Sequence, residues 1–110
     1  MRRVLAAGLA VAAAVTVGVV SAAPASAETF LLCPSGLSGV ATADTSCPFA
    51  DNVRRAFYGQ PGWTVFAFSP VTGSVYTMQC ARTITSVGWS NPKRCFGLNA
   101  SGAYLAVYIA

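Results

Sequence analysis

Four cysteines, Cys33, Cys47, Cys80 and Cys95, stand 13, 32 and 14 intervening residues apart in a chain with no histidine. A structural zinc site takes four Cys or His ligands and usually brings two of them into a tight C-x2-4-C pair. No cysteine here has a neighbour that close, so no metal and no cofactor is expected. A redox C-x-x-C motif is also absent. An even cysteine count in a short exported chain reads instead as a disulfide frame. Four cysteines allow three pairings. The favoured one is Cys33–Cys47 with Cys80–Cys95. The first would tie an extended N-terminal arm to the start of a helix, and the second would join neighbouring strands or the base of a loop. Each closes a loop of roughly 15 residues and stabilises by about 3 kcal/mol in the chain-entropy model. A typical domain is stable by only about 5–15 kcal/mol in total.

The N-terminus says why these cysteines should oxidise. Met1-Arg2-Arg3 is followed by Val4 to Val20, which holds only Val, Leu, Ala, Gly and one Thr, and then by Ala25-Ser26-Ala27. A positive start, an apolar core and an A-x-A exit make a secretory signal. Residues 1–27 are read as a cleavable signal peptide, cut before Glu28, and residues 28–110 as a single small domain. The apolar run is at the short end of what spans a bilayer and is rich in Ala. The membrane is therefore expected as a partner only during export, and the mature protein is placed at the cell envelope or outside the cell. Cys33 follows Phe30-Leu31-Leu32, which lacks the small residue a lipid-anchoring signal needs. Removing Arg2 and Arg3 leaves five basic against three acidic side chains, a charge of +2. Nucleic acid binders carry a clustered basic face, so no nucleic-acid partner is expected.

Within the domain, Glu28 to Leu32 reads as an edge strand or ordered arm, and the Gly-, Ser- and Ala-rich Pro34 to Ala43 as a loop. Ser46 is placed to cap a helix with Pro48 in its first turn. Phe49, Val53, Ala56 and Phe57 fall on one helical face. Asp51 and Arg55 form an i,i+4 pair on another. Gly59-Gln60-Pro61-Gly62 stops the helix. Trp63–Phe68 and Ser74–Arg82 read as a hairpin around Ser69-Pro70-Val71-Thr72-Gly73. Thr83–Pro92 is a polar loop carrying Trp89, Lys93–Leu98 a third strand, and Tyr104–Ile109 the last. The prediction is α+β: one helix packed on a three- to four-stranded antiparallel sheet, with two disulfides.

Ser46-Cys47-Pro48-Phe49-Ala50, Ser69-Pro70-Val71-Thr72-Gly73, Tyr76-Thr77-Met78-Gln79-Cys80 and the tail Cys95-x-Gly97-x-Asn99 with Val107-Tyr108-Ile109 form a set. Together they resemble a group of small secreted or envelope-attached proteins of mycobacteria and related actinobacteria. The group's tail has Gly-Gly-Asn where this chain has Gly97-Leu98-Asn99. The resemblance implies an exported location and two disulfides, and brings no catalytic residues to carry over.

Without histidine, Ser-His-Asp and Cys-His chemistry is excluded. Lys93, the only lysine, lacks the S-x-x-K setting of a serine–lysine mechanism. Paired carboxylates for glycoside hydrolysis would have to come from Glu28, Asp44 and Asp51. The last two flank the helix start, where solvation or the helix dipole accounts for them. A non-enzymatic protein is expected. Trp89, with Lys93, Arg94 and Arg82 nearby, has the composition of a binding hot spot. The competing reading is that Trp89 folds back to cap the small core. Tyr58, Trp63 and Tyr104 would form either a platform for sugar rings or part of the core. Arg54 and Arg55 read as a solvated helix face. The sequence thus points to an interaction module for an envelope or extracellular protein or glycan. Its alternatives are a proteinaceous inhibitor of a secreted hydrolase and a small wall-active enzyme.

Overall fold

The computed structural model describes residues 29–110; the expected signal peptide and its expected cleavage site lie outside them. The chain runs β1 (Leu31–Leu32), β2 (Ser38–Val40), α1 (Cys47–Gly59), β3 (Thr64–Ser69), β4 (Ser74–Arg82), β5 (Lys93–Leu98) and β6 (Tyr104–Ile109). The strands form one antiparallel sheet in the order β1-β2-β6-β5-β4-β3. Among the described residues one helix lies on one sheet, which fits the α+β expectation. The sheet has six strands, where three to four were predicted.

The extra strands come from the arm and from Pro34 to Ala43, the segment read as a loop. β2 escapes sequence reading because its residues answer to neighbours rather than to strand propensity. Ser38 is fully buried and its Oγ donates to Asp51 Oδ1 of α1 at 2.6 Å. Gly39 lies beneath Phe30, whose ring occupies the place a Cβ would take. Asp51 also accepts from Ser35 Oγ at 3.2 Å. The carboxylate is thus turned to these hydroxyls and not to Arg55, which donates to Asn52 Oδ1 instead. That corrects the expected i,i+4 pair.

The helix is capped as its sequence indicates. Ser46 Oγ accepts from the Phe49 amide, Pro48 sits in the first turn, and the Gln60 amide donates to the Ala56 carbonyl. Phe49, Ala50 and Val53 are buried against Val65, Ala67, Met78, Leu105, Val107 and Ile109. These sheet residues alternate along their strands, so one face of the sheet is the core, and the other is left to solvent except where Phe30 covers Gly39 and Tyr108.

Both disulfides belong to that core. Cys33, in the turn between β1 and β2, bonds Cys47 in the first turn of α1. Cys80 and Cys95 face each other across β4 and β5 with Cα atoms 3.9 Å apart. The pairing is the favoured one. Disulfides form and persist in oxidising compartments. Among the described residues no helix is long and apolar enough to cross a membrane.

Candidate functional site

Strand alternation divides the four residues singled out for binding between two faces. Lys93 and Arg82 share the parity of Cys95 and Cys80 and point to the helix side. Arg94 points to the open side, the side on which Trp89 also lies against Phe30. Lys93 is 5% exposed. Its Nζ donates to Tyr58 Oη at 3.3 Å and lies 5.5 Å from the Phe57 and Tyr58 ring centroids. A buried ammonium is costly unless partnered, and here two aromatic faces and a hydroxyl meet it. Arg82 lies over the Trp63 ring at 5.4 Å and Arg94 over Phe96 at 5.7 Å.

Trp89 folds back. Its indole N–H donates to the Gly36 carbonyl at 2.9 Å, and its ring meets Phe30 edge-on at 6.2 Å. Phe30 in turn packs edge-on against Tyr108. The loop between β4 and β5 is thereby fixed at three points. Trp89 holds it to the β1–β2 turn, the Thr83 amide donates to the Pro92 carbonyl at 3.1 Å, and Cys80–Cys95 crosses the strands below. The large apolar side chain that the loop offers to solvent is Ile84, 90% exposed. Ile84, Thr85 and Ser86 line one side of a cleft of about 240 Å³, with Phe30 and Tyr108 on the other. The Thr85 hydroxyl is buried and has no hydrogen-bond partner among the described residues. Sequence reasoning passed over Ile84 because an aliphatic residue in an irregular loop carries no periodic signal.

Of the two readings for Tyr58, Trp63 and Tyr104, the platform is not assembled. Tyr58 and Trp63 gather around Phe57 on the helix side, whereas Tyr104 lies on the open face beside Phe96. All three are more than two-fifths exposed, so they are not core either. Arg54 is held by the Ala110 backbone oxygen and the Tyr58 ring, and Arg55 is exposed. Asp44 lines a cleft of about 300 Å³ with Ser46, Tyr76 and Asn99, while Asp51 is turned away to Ser35 and Ser38. The two carboxylates share no cleft among the described residues. Asn99 instead builds the β5–β6 turn, its Oδ1 accepting from the Ser101 and Ala103 amides.

Fold and site together define a class: a disulfide-framed α+β domain that presents a fixed loop beside an uncovered sheet face. The chain matches no family model, no curated protein and no solved structure.

Proposed function

We propose that this is an exported, non-enzymatic binding protein of the cell envelope or extracellular space, which recognises a protein partner through the β4–β5 loop. The observation that carries this reading is Ile84, an aliphatic side chain held almost wholly in water on a loop anchored at three points. Preorganisation lowers the ordering cost of association. A few side chains that fill desolvated pockets on the partner carry most of an interface's energy. Trp89 has a different part from the one its composition suggests. It fixes the loop, and Ile84 with the Phe30–Tyr108 cleft makes the contact. The motif resemblance to secreted actinobacterial proteins and the two disulfides support the location.

The experiment is recovery of partners from envelope extract on immobilised wild-type, Ile84→Asp and Arg55→Ala protein. A partner retained by wild type and Arg55→Ala but lost with Ile84→Asp is expected. Equal recovery on all three removes the loop from the account. The fixed, protruding loop also suits insertion into the cleft of a secreted hydrolase. Inhibition of a protease panel at micromolar concentration, abolished by Ile84→Asp, would narrow the partner to that class.

A further inference from the structure

We propose that the sheet face opposite the helix is a self-association surface, on which a second copy of this chain packs sheet against sheet. Phe66, Phe68, Val75, Phe96, Leu98 and Tyr104 occupy this face and are between 36% and 62% exposed. The strand register brings them into one patch. Phe68 is opposite Val75, Phe66 opposite Thr77, Phe96 opposite Gln79, and Leu98 opposite Tyr104. With aromatic side chains of about 150–250 Å² each, the six leave on the order of 600 Å² of apolar surface in water. That matches the largest patch a typical monomer shows, about 300–600 Å². Adding the flanking Thr77 and Gln79 brings it near the roughly 800 Å² per partner of a stable interface.

Charge distribution selects a second copy as the occupant. Residues 29–110 hold seven charged side chains. Asp44, Asp51, Arg54, Arg55, Arg82 and Lys93 all belong to the helix side, by strand parity or by position on and before α1. Arg94 alone lies on the open side, at the margin of the patch, over Phe96. A twin face therefore meets no buried like charge at its centre, and needs no countercharge from a partner. Thr77 and Gln79 supply matched hydrogen-bonding groups about a two-fold axis, as an isologous interface requires. Aligned sheets pack about 10 Å apart with interdigitating side chains.

The edge of the sheet is closed to the alternative mode, strand addition. On β3, the Phe66 amide donates to Gln60 Oε1 at 3.0 Å and its carbonyl accepts from Gln60 Nε2 at 2.9 Å. The Phe68 carbonyl accepts from Asn52 Nδ2 at 2.9 Å. Edge groups so occupied do not pair with another strand. At the far edge, β1 is two residues long.

Sedimentation of the native, oxidised protein tests this, alongside Val75→Glu, Leu98→Glu and Ile84→Asp. Wild type and Ile84→Asp are expected as dimers at micromolar concentration. Each glutamate variant should weaken the dimer at least about tenfold, since every 1.4 kcal/mol is tenfold, with circular dichroism and both disulfides unchanged. A wild-type monomer at about 100 µM, a monomer that carries lipid on this face, or a dimer indifferent to both glutamates would overturn it. Loss of the dimer with Ile84→Asp would assign self-association to the loop instead.

Discussion

At Gly97 the backbone of β5 passes so near β4 that a methyl group has no room. A Cβ there would lie 2.5 Å from the Thr77 carbonyl oxygen and 2.8 Å from Met78 Sδ. Met78 is fully buried, so neither neighbour gives way easily. Gly97→Ala is expected to destabilise by about 1–3 kcal/mol, the usual cost of overpacking, read as a lower denaturation midpoint at unchanged slope. Thr85 is the opposite case. Its buried hydroxyl has no partner among the described residues, and such a group costs roughly 1–3 kcal/mol. The near-isosteric Thr85→Val should raise the midpoint, and a lower one would show that the hydroxyl has a partner. Lys93 and Trp89 show where residue-level reading ends. Their types, a cation and an indole in a stapled loop, suggest a hot spot. Whether the ammonium meets Tyr58 and the indole N–H meets Gly36 depends on chain 35 and 53 residues away.

Among the elements, α1 was legible because its cap, its first-turn proline and its apolar spacing are all local. The hairpin of β3 and β4 was legible for the same reason, since Gly73 turns the chain with φ of 73°. β2 was not, because a fully buried serine and a glycine under a ring make sense only against Asp51 and Phe30. The β4–β5 loop was placed correctly as a loop, but one of its three anchors, the Trp89 bond to Gly36, is long-range and has no local signal. Trp89→Phe keeps an aromatic ring, smaller than the indole, and removes the N–H donor. Amide exchange across Thr83–Pro92 should quicken by about fivefold to tenfold, as loss of a bond worth about 1 kcal/mol implies. Exchange in α1 should be unchanged. Equal exchange in the loop would mean that the indole bond contributes nothing to its order.

For the whole molecule, the disulfide frame was readable from cysteine spacing and compartment, whereas the strand order was not. β2 pairs β6 across about 70 residues of chain, through Ser38 with Ile109 and Val40 with Val107, and no local pattern encodes that closure. The result is a domain of two unlike sides. The helix side holds the core, both disulfides and nearly all the charge. The open side holds the apolar patch and, at its margin, the anchored loop. The division is consistent with the proposed contact role: stability is built on one side, which leaves the other open.

The claim at the centre is that recognition runs through the loop at Ile84. It is tested most directly by placing a photoreactive side chain at position 84 of the native, oxidised protein, with a matched probe at Arg55 on the helix. A discrete adduct is predicted from position 84 alone, competed away by excess wild type but not by Ile84→Asp. The same adducts from both positions, or none from position 84, would contradict it.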